Sequence, residues 1–193
     1  MLISGKPLKH GASASLSLSP QQIRTTLRDL ARTAEQQVMG VTMASMDELT
    51  LLSNRHGFTA LAQLGLDACQ HLEIPATLVC FDLDNFKHIN YLYGRAEGDD
   101  ALKTFADVLR IAFRESDVIG RLGDDEFVAL LTGASAVDLG AIRGRLEEIL
   151  DERNATMRRG YAIRFSMGQV EYDPGRHGAV EAMLLEVESC LLT

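Results

Sequence analysis

Arg121-Leu122-Gly123-Asp124-Asp125-Glu126-Phe127 joins two extended-type segments through a Gly-Asp pair, the mark of a β-hairpin whose tip carries three consecutive acids. Upstream, the apolar run from Thr77 to Phe81 breaks off at Asp82 and continues as Leu83-Asp84-Asn85-Phe86-Lys87-His88-Ile89-Asn90. Such a run reads as a buried strand that delivers a carboxylate to a sheet edge. If the two strands are neighbours, Asp82 and Asp125 approach closely enough to share a divalent cation. Hard cations take oxygen ligands, and magnesium is usually held by one or two carboxylates together with substrate phosphates. In the competing reading, Asp82 and Asp84 merely cap turns and Asp124, Asp125 and Glu126 form a solvated acidic tip. Three adjacent acids repel one another and a bound cation relieves that repulsion, which favours the metal reading. Gly-Asp also suits a two-residue type II′ turn, in which the first central residue takes positive φ.

The bulk properties narrow the alternatives. A chain of 193 residues with 46% hydrophobic composition suits one globular domain with a short extension. The net charge of −8 and pI near 5.1 argue against a surface that tracks DNA or RNA phosphates, so a nucleotide partner would be a small, metal-carried one. Cys69, Cys80 and Cys190 are odd in number, lack Cys-x-x-Cys spacing and sit among apolar residues. They read as buried thiols of a reducing compartment, neither zinc ligands nor a disulfide frame. Lys6 and Lys9 precede no continuous apolar segment, so neither a secretory signal nor a membrane span is expected, and a cytoplasmic location follows by default.

Residues 1–18 are rich in Ser, Gly and Ala without helical or strand period and read as a flexible tail. A helix start follows: Ser19 caps, Pro20 suits the first turn, and Gln22 completes a capping box. Ile23, Leu27, Leu30, Ala34, Val38 and Val41 then form one stripe of a helix spanning 19–46. That stripe fits either a helix lying on its own domain or one pairing with a second subunit. The domain itself runs over 47–193. A helix from Asn54 to Leu72 presents Phe58, Leu61, Leu64, Ala68 and Leu72, and another from Asp99 to Arg114 presents Leu102, Phe105, Ala106, Leu109 and Phe113. After the hairpin, Val118 to Leu131, come a helix around Val137 to Arg153, an alternating strand through Tyr161, Ile163, Phe165 and Met167, and a last helix from about Ala179. Helices interleaved with hairpin-type strands indicate an α+β fold, a mainly antiparallel sheet flanked by helices.

These blocks together resemble the GGDEF diguanylate cyclases. The hairpin reads Gly-Asp-Asp-Glu-Phe where that family has Gly-Gly-Asp/Glu-Glu-Phe. Asp47-Glu48-Leu49-Thr50 with Asn54-Arg55 resembles its opening block, Asp82 to Asn90 its Asp-x-Asp-x-Phe-Lys-x-Ile-Asn segment, and Gly94 with Gly98-Asp99 its Gly-x-x-x-Gly-Asp. Arg114-Glu115-Ser116-Asp117 resembles its Arg-x-x-Asp inhibitory motif. The resemblance covers Asp47 to the C-terminus and implies a ferredoxin-like, palm-like core.

It further implies that two facing subunits of a homodimer each hold one GTP and condense them into cyclic di-GMP with release of pyrophosphate. Asp82, the backbone carbonyl of Leu83 and Asp125 would then hold magnesium or manganese, with Glu126 completing the shell. Asp125 would also accept the ribose hydroxyl proton, and Lys87 would stabilise charge on phosphate. Asn90 and Asp99 would read guanine, an amide and a carboxylate suiting its acceptors and donors. Taken alone they read as a turn amide and a helix N-cap. Backbone N–H groups of Asn85 and Phe86 would cradle phosphates, with Gly94 and Gly98 serving the adjacent turn. Arg114 and Asp117 would grip product cyclic di-GMP, since a guanidinium is planar, charged and forked; taken alone they form an ion pair at a helix end.

The sequence departs from the family pattern at Asp124 for the second glycine, at Tyr91 for the usual Asp and at Arg95 for the usual His. Cys190-Leu191-Leu192 stands in place of Ala-Leu-Tyr, ahead of the family's terminal cations. Two classes of function follow: a metal-dependent, product-inhibited cyclase, or a non-catalytic module that binds cyclic di-GMP or a protein partner.

Overall fold

Alternation along Ala76–Leu83 sends Leu78 and Cys80 to one apolar cluster and Val79, Phe81 and Leu83 to another, and all five are buried. A strand buried on both faces belongs inside a sheet covered on both sides. The computed structural model, which describes residues 44–133 and 139–191, has that arrangement. Its elements are α1 (Arg55–Leu72), β1 (Ala76–Leu83), α2 (Phe86–Tyr93), α3 (Arg95–Ala112), β2 (Val118–Arg121), β3 (Glu126–Thr132), α4 (Leu139–Met157), β4 (Phe165–Glu171) and α5 (Val180–Leu191). The sheet has the order β2-β3-β1-β4 with every neighbouring pair antiparallel, the ferredoxin-like arrangement. The α+β expectation therefore holds.

Phe58, Ala62 and Leu66 of α1 and Val180, Met183 and Val187 of α5 pack with Leu78, Cys80, Val128 and Leu130. Across the sheet, Leu102, Phe105 and Leu109 of α3 and Leu146 and Leu150 of α4 pack with Phe81, Phe127 and Phe165. Phe105 meets Phe127 edge-on at 5.1 Å between ring centroids, a favoured aromatic geometry. Cys69 and Cys80 are buried, as their apolar neighbourhoods imply; the Cys190 side chain, the tail at 1–18 and most of the helix at 19–46 lie outside the described residues.

Several local expectations are corrected. Helix α1 buries Phe58, Ala62, Leu66 and Cys69, while Leu61, Leu64 and Leu72 are 49%, 67% and 63% exposed. The true stripe follows the 3.6-residue period from Phe58, and its small members bring the helix close to the sheet, so size was a poor guide to facing. Helix α3 begins at Arg95, which places Gly98 and Asp99 inside it. Only Gly94 serves the turn through its backbone, at φ 91. Strand β4 begins at Phe165 because the Asn154 side chain takes both backbone groups of Ile163, accepting from its N–H at 2.9 Å and donating to its carbonyl at 3.0 Å. The hairpin is closed by Leu122 N–H donating to the Glu126 carbonyl, leaving a three-residue loop, and Gly123 does not take positive φ. The type II′ turn is thus absent. No helix of the described residues is long and apolar enough to cross a membrane.

Candidate active site

Strands β1 and β3 are neighbours in register, with Asp82 opposite Glu126, and Leu83 N–H donates to the Asp125 carbonyl at 3.2 Å. The acids of two distant segments therefore meet at one end of the sheet. Burial, followed by the nearby charges of Asp125, Glu126 and Asp84, pushes the Asp82 carboxyl above its ordinary range, and Lys87 opposes them. Asp84 instead accepts from Ser166 Oγ at 2.8 Å, which ties it to β4. Among the described residues no protein group donates to the Asp82 carboxylate, so turn capping does not account for it. Among the described residues no three Asp, Glu, His or Cys side chains converge on one point. Two carboxylates, a backbone carbonyl and substrate phosphates are the donor set that fits magnesium, which seldom uses an all-protein cage.

The hairpin is held in place from outside. Asp47 accepts from Thr50 N–H at 2.8 Å and from Thr50 Oγ1, and Arg121 Nη1 donates to both its carboxylate oxygens at 3.1 Å. Arg121 Nη2 also donates to the Asp124 carbonyl at 2.7 Å. Burial opposes ionisation of Asp47, yet the Thr50 and Arg121 bonds outweigh it and hold the carboxyl below its ordinary range. Sequence reasoning quoted Asp47 and Arg121 within their motifs without giving them this role; an acid three residues before a Thr is the turn signal that could have found half of it. Asn54 caps α1 by accepting from Gly57 N–H at 2.9 Å, and Arg55 lies 3.7 Å from Glu126. Gly123 admits that carboxylate: a Cβ there would stand 2.7 Å from Glu126 Oε2. Asp124 is exposed and lines a cleft of about 480 Å³ with Asp47, Arg55, His56 and Arg121.

Asn85 precedes α2 in the left-handed conformation, φ 59, and the first turn of a helix leaves its N–H groups without intrahelical partners. Lys87 is exposed in that turn. Asn90 and Asp99 flank the Gly94 turn. A Cβ on Gly98 would stand 2.0 Å from Asn90 Oδ1, so glycine is what lets the amide lie on α3. Asp99 is exposed within α3 and Gly94 holds its N-cap position, which removes the capping reading. Arg114 and Asp117 form a closed turn instead of an ion pair: Arg114 N–H donates to Asp117 Oδ2 at 2.9 Å, and Asp117 N–H to the Arg114 carbonyl at 3.0 Å. The exposed Arg114 guanidinium is left without a protein partner among the described residues.

The four-stranded antiparallel sheet with an acid-lined strand end defines a palm-like α+β domain. The chain belongs to the GGDEF family: the model described as diguanylate cyclase, GGDEF domain, matches residues 44–193. It is 32% identical over 132 residues to "Probable diguanylate cyclase DgcC" of Escherichia coli K12, covering 68% of this chain and 36% of the relative. It is 36% identical over 120 residues to diguanylate cyclase DgcS of Shewanella oneidensis, covering 62% and 40%. The match thus spans less than half the length of either relative. Among solved structures, the coiled coil and GGDEF domain of DgcB from Caulobacter crescentus, in complex with c-di-GMP, superposes with a TM-score of 0.76 at 23% identity, over 89% of this chain and 91% of that one. A sensory box/GGDEF family protein from the same organism gives 0.65 at 27% identity, over 77% and 96%.

Proposed function

We propose that the domain is a diguanylate cyclase that condenses two GTP into cyclic di-GMP in a metal-dependent reaction within a homodimer. The observation that carries this reading is the Asp82 carboxylate, crowded by Asp125 and Glu126 and given no donor by the described residues. Asp82, Asp125 and the Leu83 carbonyl would hold magnesium or manganese, which polarises the α-phosphate and neutralises charge on the leaving pyrophosphate. Asp125 takes the proton of a ribose 3′-hydroxyl as its oxygen bonds to the α-phosphorus of the facing GTP and the bond to pyrophosphate breaks. The step repeated in the opposite sense closes the ring. Lys87 and the N–H groups of Asn85 and Phe86 bind phosphate oxygens, Glu126 supports the metal, and Asn90 with Asp99 selects guanine.

The Arg114 guanidinium, exposed beside the Asp117 turn and without a partner among the described residues, supports a second component, a cyclic di-GMP site that restrains the enzyme or, without turnover, makes the domain a receptor. Incubation with Mg²⁺ and GTP followed by chromatography separates the two. Cyclic di-GMP and pyrophosphate support the cyclase; unchanged GTP with retained cyclic di-GMP binding supports the receptor.

A further inference from the structure

The connection between α4 and β4 lies far in sequence from the nucleotide motifs, yet it is bonded to both helices that carry Asn90 and Asp99. Tyr93, three residues after Asn90, donates through its hydroxyl to the Gly160 carbonyl at 2.8 Å, and its ring lies 4.9 Å from that of Tyr161. The Tyr161 hydroxyl donates to α3, with the Glu97 carbonyl at 2.9 Å and Glu97 Oε2 at 3.2 Å. Arg159, whose side chain is only 9% exposed, donates to Thr104 Oγ1 at 3.0 Å and to the Asp100 carbonyl at 3.3 Å, and stands 3.9 Å from Glu97. Its guanidinium also lies over the Tyr161 ring at 5.9 Å. Glu97 and Asp100 bracket Gly98 and Asp99.

We propose that Arg159-Gly160-Tyr161 is a strap that positions the guanine-reading corner, so that Tyr161 and Arg159 are positioning residues for base selectivity without touching the nucleotide. The inference rests on Asn90 and Asp99 reading guanine. The corner needs such support because its two helices are joined through a single glycine turn, Gly94 at φ 91, and the Asn90 amide lies against Gly98. A hydrogen-bonding pair selects a base only when both partners are held to within a fraction of an ångström. The strap supplies bonds to the end of α2 and to successive turns of α3 on either side of Asp99, which a helix pair joined by one flexible residue lacks. Gly160 is a steric part of it: a Cβ there would stand 2.8 Å from Tyr93 Cε1.

The test uses the full chain with Mg²⁺, measuring KM and kcat for GTP and for inosine triphosphate, which lacks the 2-amino group, and affinity for a non-hydrolysable GTP analogue by calorimetry. Tyr161→Phe, Arg159→Ala and Gly160→Ala are expected to raise KM for GTP and reduce the preference for GTP over inosine triphosphate, each by about five- to tenfold, with kcat nearly kept. Arg159→Lys, which keeps the charge beside Glu97, is expected to recover part of the preference. Loss of kcat at unchanged KM and unchanged preference, with a lowered melting temperature, overturns the positioning role and leaves a structural one. Wild-type preference retained in all three variants also overturns it while the guanine reading stands. A wild-type protein that binds the GTP analogue no better than its inosine counterpart overturns the guanine reading itself, and the strap with it.

Discussion

Asp82 stands directly across the antiparallel ladder from Glu126, so the end of one strand and the first residue of another bring like charges together at the sheet end. Like charges opposite one another destabilise a sheet pair. The fold tolerates this only where something else is gained, which is what makes the pair a functional signal.

The sign of that strain is measurable. Burial and the neighbouring acids raise the Asp82 pKa above the ordinary 3.8. Its contribution to stability is therefore full below pH 3.8 and is lost as pH rises through the higher folded value. In the metal-free protein at neutral pH, Asp82→Asn is expected to match or exceed wild type in melting temperature, with the difference shrinking toward acid pH. Mg²⁺ or Mn²⁺ with a GTP analogue should raise the melting temperature of wild type alone. A neutral-pH melting temperature several degrees below wild type, recovered in acid, would contradict the crowding.

Asp47 has the opposite sign. Its pKa is lowered against burial by Thr50 and Arg121, so its stabilisation is present above pH 3.8 and lost as pH falls through the folded value. The Arg121 side chain is 12% exposed and that of Asp47 23%, so solvent screens the pair little. Asp47→Ala is expected to destabilise by about 2–4 kcal/mol at neutral pH. Chemical denaturation gives this directly, and hydrogen exchange should show faster opening of the 121–126 hairpin.

How much of this was legible in the sequence varies with the range of the interaction. The acid meeting could be read because each half is announced locally, by an apolar run ending in Asp82 and by a Gly-Asp hairpin tip. The facing of α1 was misread because Leu61, Leu64 and Leu72 outweigh Ala62 and Cys69 by size, whereas closeness of packing chooses the small residues. The hairpin loop was assigned one residue too few, since glycine permits positive φ but does not require it. Tyr161 was read only as a member of an alternating strand, because its partner Glu97 lies on a helix distant in sequence and belongs to no spacing rule.

Arg114 is the clearest separation of binding from stability. Its backbone makes the turn with Asp117, and its guanidinium touches no described protein group. Arg114→Ala should leave the melting temperature within a degree or two and weaken cyclic di-GMP binding at least tenfold by calorimetry. Asp117→Ala, which removes the side-chain acceptor of the Arg114 N–H, should lower stability by about 1 kcal/mol. Unchanged affinity in Arg114→Ala would reduce it to a surface cation.

Tyr161 should also be visible by absorbance. Burial is the main cause that raises its pKa to about 12; the Arg159 charge opposes it, and the hydrogen bond to Glu97 with the charges of Glu97 and Asp100 adds to it. Of the four tyrosines, one should titrate last in an alkaline absorbance titration, and Tyr161→Phe should remove that component. The stabilisation is full below pH 10 and is lost as pH rises through about 12. A late component persisting in the variant would contradict the assignment.

The central claim, that Asp82 and Asp125 form a metal-dependent GTP site, is tested most directly by pyrophosphate release and chromatographic product analysis of wild type and Asp125→Asn with Mg²⁺ and GTP, with circular dichroism of both. The account predicts cyclic di-GMP from wild type and none from an equally folded Asp125→Asn, whose amide neither accepts the hydroxyl proton nor supplies the charge. Wild-type rates in a folded Asp125→Asn would contradict it.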